Sequence, residues 1–327
     1  MVFINYPQST FDTTQAFIDW LAEPNRTSAK KGNLKAYLNQ HLDYPPENNP
    51  KCWYSEKELS EGELQIDHFR PENKSSILTE NRINSIQKDL GFKLPFLNKG
   101  LISGYKWLST EHKNFRIICQ AINGKAGKTT FFPLYQSSEH LKANKFPWNP
   151  LDNKEIPLLL DPTNKDDCGW LWVDKTGALS PVHKNSIFPT DFATNSQNYL
   201  NHLSFQILKA IVSIHIYGLN RSALKVSRVN AMKQVFQDLG DMEDSLLIRD
   251  WNGIKKFQNR LISRLDFNQP FTLSARCALL QYEPSSKLTI SWQATLMKKF
   301  KKNLIAGLQK KEHGFLTLPI TFQSYLA

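Results

Sequence analysis

Residues 63–74, ELQIDHFRPENK, place an acid, an imidazole and a guanidinium close together as Asp67, His68 and Arg70. Hydrolysis of a phosphodiester requires an activated water, a cation that stabilises charge on the phosphate, and groups that hold the backbone. His68 could activate the water, and Asp67 could hold the cation. Adjacent residues of a strand point to opposite faces, so both side chains serve one site only if the strand end bends. The pair alone leaves an ordinary polar strand end as the alternative.

The elements that must position this stretch are predicted from hydrophobic periodicity and from turn residues. Residues 11–42 have an amphipathic helical pattern, which the prolines of DYPPENNPK at 43–51 end before the short β-like run LQIDHF at 64–69. Residues 197–217 carry apolar side chains at helical spacing, and a second helix is predicted after Gly218. The C-terminal half is therefore predicted to be helical.

Composition and charge narrow the class of protein. The 327 residues are 40% hydrophobic, which is enough for a substantial core, and the net charge of +11 favours polyanionic partners such as nucleic acid. The four cysteines, Cys52, Cys119, Cys168 and Cys277, form no CxxC pair and no secreted disulfide scaffold. No run of about 18 apolar residues and no leader pattern occurs. We predict a cytoplasmic protein that does not cross a membrane.

Four segments in order carry a family resemblance: KCWYSE at 51–56, IDHFRPEN at 66–73, YKWLSTEHKNFRIIC at 105–119 and INGKAGKTTFFPL at 122–134. They resemble the HNH endonucleases, specifically the PtuB-like subunits of Septu and retron-associated antiphage systems. Downstream stretches that are similar to the same family are PLLLDP at 157–162, WLWVDKTGALSP at 170–181 and GLNR at 218–221.

The resemblance implies a fold as well as an activity. We expect an α+β, mainly helical chain, in which a small ββα-metal (HNH) core is embedded between two helical regions. The expected boundaries are an N-terminal helical segment at 1–50, the nuclease core at 51–165, and a mainly helical C-terminal region at 166–327.

Carried over residue by residue, the resemblance makes His68 the general base and Asn114 the residue whose side-chain carbonyl orients it. Asp67 and Asn123 would hold one Mg²⁺ or Mn²⁺ ion by oxygen, the ligand atom that these ions prefer.

The same comparison suggests the groups that bind the phosphate. Arg70, Lys125 and Lys128 would lie beside it, since guanidinium and ammonium groups suit phosphate oxygens. For each lysine, a solvated side chain is the alternative.

The chain departs from the family pattern at a structural zinc site. The family has two Cys-x-x-Cys pairs, whereas here Cys52 is followed by Ser55 and Cys119 by Ile122. Isoleucine cannot bind a metal and serine is a poor zinc ligand, so a tetrahedral Cys₄ site is excluded. We expect Cys52 and Cys119 to be near neighbours in a degenerate knuckle that has lost its zinc. Apolar packing would replace the metal, with contributions from Trp53, Trp107 and Ile122.

The resemblance also implies partners. They are a nucleic acid, either DNA or tRNA, and a companion ABC-type ATPase (PtuA-like) in antiphage defence. A catalytically silent subunit that binds nucleic acid or the ATPase is the alternative function. The basic segment KKFKKNLIAGLQKK at 298–311 could face nucleic acid, but we interpret it as a solvated helix face.

Overall fold

The fold is known from a computed structural model, which describes residues 51–60, 63–94, 103–109, 112–124, 127–135, 155–164, 167–182, 202–266, 269–283 and 291–311. The predicted N-terminal helical segment at 1–50 and the predicted phosphate ligand Lys125 lie outside these residues.

The described elements make an α+β chain that is mainly helical, as expected. The strands are β1 (Leu64–His68), β2 (Phe115–Cys119), β3 (Leu171–Val173) and β4 (Leu179–Pro181). The helices are α1 (Glu80–Leu90), α2 (Gln120–Asn123), α3 (His202–Ile216), α4 (Ser222–Leu247), α5 (Trp251–Leu265), α6 (Thr272–Gln281) and α7 (Ser291–Lys311). Two 3₁₀ turns, Lys106–Leu108 and His112–Asn114, precede β2.

Strands β1 and β2 form a two-stranded antiparallel sheet, with Leu64 opposite Cys119 and His68 opposite Phe115. Strand β2 is buried along its whole length, whereas most of β1 is only half-buried. The one-turn helix α2 follows β2 directly and packs against both strands. The two strands and α2 are therefore neighbours in space, although α1 and the two 3₁₀ turns lie between β1 and β2 in the chain, and His68 is at the end of the first strand.

The described residues from 202 onward are mainly helical, as the periodicity predicts. The long helix α4 begins four residues after Gly218 and packs against α5 and α6. Helix α3 packs against α1 and β4, and α6 packs against β3. One apolar core joins these helices to the β1–β2 sheet, and Leu160 and Val173 are both fully buried in it. The core is thus continuous across the region boundary expected at 165/166. Within the described residues, none of the helices has both the length and the apolarity that crossing a membrane requires.

Candidate functional site

The two loops of the degenerate knuckle meet at one end of the β1–β2 sheet. The Ser55 N–H lies 3.5 Å from the Cys52 sulfur, and the Ile122 N–H donates to the Cys119 sulfur. The Trp53 N–H donates to the Ile117 carbonyl oxygen at 2.9 Å, which fixes the first loop to β2. The structure therefore brings Cys52 and Cys119 together, and their thiols are hydrogen-bonded to each other.

The environment of this pair is apolar. Cys52, Cys119, Trp53 and Ile122 are all buried, and both cysteines are free thiols. Burial raises the pKa of the Cys52 thiol. The hydrogen bond from Cys52 lowers the pKa of Cys119 to about 6, because it stabilises the thiolate.

His68 is held at the end of β1 by a backbone carbonyl. Its Nε2 lies 3.0 Å from the carbonyl oxygen of Ser109, and the ring packs edge-on against Phe115 with centroids 5.1 Å apart. A carbonyl oxygen can only accept a hydrogen bond, so Nε2 of the neutral imidazole carries the proton and Nδ1 keeps its lone pair. This is the tautomer that a general base acting through Nδ1 requires.

The side chain of Asn114 binds backbone groups, whereas the expected contact was with the His68 ring. Its side-chain carbonyl oxygen accepts a hydrogen bond from the backbone N–H of Arg70 at 2.8 Å, and so is not directed at the His68 ring. Its amide nitrogen donates to the carbonyls of Arg70 at 2.9 Å and of Leu108 at 3.4 Å. Because Leu108 precedes Ser109, Asn114 fixes the backbone that carries the carbonyl bound to His68.

Asp67 is paired with a lysine. Its Oδ2 lies 2.7 Å from Nζ of Lys128, which also donates to the His68 carbonyl oxygen at 2.6 Å. Lys128 is 0% exposed, so the expectation that it lies beside a bound phosphate is corrected: its ammonium is enclosed and neutralises Asp67. Burial lowers the pKa of Lys128, while the Asp67 carboxylate opposes that shift.

Arg70 is also committed to an internal partner. Its Nε donates to Glu155 Oε1 at 2.7 Å, and Glu155 accepts a second hydrogen bond from the Tyr105 hydroxyl at 2.6 Å. The guanidinium lies 5.7 Å from the Phe69 ring centre. The phosphate-binding role expected of Arg70 is therefore corrected to a buried ion pair.

Asn123 ends α2 and donates through its amide nitrogen to Gln65 Oε1 at 3.1 Å. Gln65 and Asp67 are two positions apart and share one face of β1, whereas the side chain of His68 leaves from the other face. The structure thus brings Asn123 to the face of the strand that carries Asp67. The side chains of Asp67 and His68 can serve one site only where the end of β1 bends.

A divalent cation does not fit these residues as they are arranged. Asp67 and Asn123 offer one carboxylate and one amide oxygen, and the carboxylate is already neutralised by the Lys128 ammonium. A cation beside that ammonium would be repelled. In the described part of the chain, no cluster of three His, Cys, Asp or Glu side chains could hold a metal. A metal at Asp67 therefore requires Lys128 to move away.

Sequence reasoning missed a second ion pair beside Asp67. Arg116 lies opposite Asp67 in the sheet and makes two hydrogen bonds to Asp161, of 2.8 and 2.6 Å. Although burial opposes the shift, Arg116 lowers the pKa of Asp161. The sequence feature that could have predicted this pair is Arg116 itself, an arginine inside the otherwise apolar strand FRIIC. An arginine is rarely buried unless an oppositely charged partner is buried with it.

Three of the four lysine side chains that the structure describes in helix α7 face solvent. Lys298, Lys299 and Lys302 are exposed. Lys301 instead donates to the carbonyl oxygens of Leu280 at 3.0 Å and Tyr282 at 2.8 Å, and so holds the end of α6.

Comparison of the chain with protein-family models, with curated proteins and with solved structures gives no match. The assignment of a function therefore depends on the residues themselves and on the motif resemblance.

Proposed function

We propose that the chain is an HNH-type endonuclease that hydrolyses phosphodiester bonds of DNA or tRNA, with His68 as the general base. The observation that carries the proposal is the contact between His68 Nε2 and the Ser109 carbonyl oxygen. That contact leaves Nδ1 unprotonated on a half-buried ring at the end of β1. The packing of the short helix α2 against the antiparallel pair β1–β2 supports the same proposal.

In this reaction Nδ1 of His68 takes a proton from water while the water oxygen bonds to phosphorus. The bond from phosphorus to the 3′ oxygen of the strand breaks, and the departing oxygen takes a proton from solvent. The imidazolium that forms is stabilised by the Ser109 carbonyl and returns its proton to solvent. Asn114 acts as a positioning residue, because it fixes the loop that carries this carbonyl. The Mg²⁺ or Mn²⁺ ion expected from the resemblance remains part of the proposal, and its binding to Asp67 and Asn123 must displace Lys128.

The wider role is inferred from the resemblance alone. It is that of an effector subunit in cytoplasmic antiphage defence, which cuts together with an ABC-type ATPase that restrains or licenses it.

A second candidate, a catalytically silent subunit that binds nucleic acid or the ATPase, is favoured by a different observation. Asp67 and Arg70, two groups expected to serve catalysis, are both held in buried ion pairs with Lys128 and Glu155. In a silent subunit these pairs would be permanent.

The deciding experiment uses the complex that co-purifies from the native operon, incubated with DNA or tRNA and Mg²⁺ or Mn²⁺. We expect the wild type to cut, and His68→Ala to lose at least about 100-fold in rate, the usual contribution of a general base. Added imidazole should restore part of the lost rate, because it replaces the missing base without repairing the fold. Undiminished cleavage by a folded His68→Ala variant would exclude the proposed mechanism.

A further inference from the structure

Two arginines outside this site converge on the turn between α3 and α4. Arg82 of α1 donates to the Ile216 carbonyl oxygen at 3.4 Å, and its guanidinium lies 4.6 Å from the ring centre of Phe131. Arg221, directly before α4, lies over Gly218, where an added Cβ would come within 2.8 Å of its Nε and Nη2. The absence of a side chain at Gly218 is what allows this close approach.

Arg221 also reaches the β1–β2–α2 unit, because its Nη1 donates to the carbonyl oxygen of Ala121 in α2. Ala121 is two residues before Asn123. Arg221 therefore borders the candidate nuclease site.

The two guanidiniums are close enough to affect each other. Burial, and then the charge of Arg221, lower the pKa of Arg82. Among the described residues no carboxylate forms an ion pair with Arg82 or Arg221, whereas Arg70 and Arg116 each have one. The Nη2 atom of Arg221 is buried and has no hydrogen-bond acceptor within the described part of the chain. An unsatisfied buried donor beside a like charge is costly unless an anion binds there.

The start of α4 adds positive potential at the same place. This helix has 26 residues, its N-cap Arg221 provides no side-chain cap, and its first turn contains no acid. Ser222 and Ala223 in that turn are exposed. The helix macrodipole and the free N–H groups of such a terminus favour an anion.

We propose that Arg82 and Arg221 bind a phosphate group of the nucleic-acid strand on which the proposed nuclease acts. This inference rests on the proposed function and deepens it, because it supplies the phosphate contacts that Arg70 and Lys128 cannot make. A free nucleotide carries the same kind of phosphate group. The test therefore distinguishes binding of a nucleic-acid strand from binding of a free nucleotide.

The test is the binding of a fluorescently labelled oligonucleotide to the full-length chain, followed by anisotropy in EDTA at several salt concentrations. The variants are Arg82→Gln, Arg221→Gln and the double variant. The matched control is Lys88→Gln with Lys233→Gln, which removes two exposed charges from the same helices, α1 and α4.

We expect each arginine replacement to reduce the slope of log affinity against log salt by about 1, as the loss of one phosphate contact does. In the double variant the slope should fall by about 2, and the control should keep the wild-type slope. Because Arg82 and Arg221 also make internal contacts, thermal melts must show that the variants are folded. Arg82→Lys with Arg221→Lys keeps both charges, and it should retain the slope while losing affinity, because lysine lacks the bidentate fork.

The proposal would be overturned by any of three results. These are an unchanged slope in the folded double variant, an equal reduction of the slope in the control, and no binding by the wild type. Displacement of the oligonucleotide by a mononucleotide at equal phosphate concentration would also overturn it, in favour of a free-nucleotide site. The outcome is separate from that of the nuclease proposal, because binding is measured without cleavage.

Discussion

Replacement of Lys128 by methionine tests the charge arrangement on which both candidate functions depend. Methionine has nearly the same length, so the change removes the ammonium and leaves little new cavity. The carboxylate of Asp67, only 6% exposed, then has no cationic partner at 2.7 Å. Breaking one side of a buried ion pair typically costs about 3–5 kcal/mol, and screening by solvent is negligible at this burial.

The assay is urea unfolding at pH 7 of Lys128→Met, Asp67→Asn and the double variant. We expect Lys128→Met to lose about 3–5 kcal/mol, and the double variant to lose less than that, because no charge is left buried without a partner. A loss below about 1 kcal/mol in Lys128→Met would refute the buried pair, since that is the range of an exposed one.

The same variants report on the metal. With Lys128 removed, Asp67 is free to serve as an oxygen ligand, so Lys128→Met should bind Mn²⁺ more tightly than the wild type does, as measured by calorimetry. Asp67→Asn in the same background should abolish the gain. Equal Mn²⁺ affinity in the wild type and in Lys128→Met would show that the ammonium does not exclude the cation.

Two further predictions concern the knuckle. The pKa of Cys119 falls from 9.0 to about 6 on folding, so its contribution to stability is complete above pH 9 and lost as the pH falls through about 6. As the pH falls from 9 to 6, the free energy of unfolding should therefore decrease more in the wild type than in Cys119→Ala. Parallel curves of unfolding free energy against pH for the two proteins would show that Cys119 is not a thiolate in the folded state. Ser55→Cys with Ile122→Cys should bind one zinc per chain by elemental analysis, with a melting temperature that a chelator lowers, whereas Ser55→Cys alone should not. No zinc in the double variant would mean that the loops are too far apart.

The parts of the site that the sequence could predict are those set by local pattern. The β-like run at 64–69 corresponds to β1, and the helical periodicity after 197 corresponds to α3 and α4. In each case a short window contains the alternation or the helical spacing that decides which face is buried.

The charge pairing could not be predicted, because it depends on contacts far apart in the sequence. Lys128 is 61 positions from Asp67, and Arg70 is 85 positions from Glu155. Lysines among glycines and threonines have the composition of a solvated loop, and nothing local distinguishes a lysine that tertiary packing encloses. Arg116 was a detectable case, since β2 is otherwise apolar.

The position of one ammonium group therefore separates the two candidate functions. While Lys128 holds Asp67, a metal ion is excluded from that carboxylate, and His68 has the tautomer of a base without a metal ion at Asp67 to stabilise a phosphorane. If a divalent ion with a bound phosphate displaces Lys128, its charge replaces the ammonium beside Asp67, and the carboxylate is never left unpaired. Such an exchange costs less than breaking the pair outright, because a charge replaces a charge. A nuclease requires this exchange to be reachable when substrate and partner bind, whereas a silent subunit requires that it never occur. Mn²⁺ binding by the wild-type complex only when nucleic acid is present would be the signature of the first case.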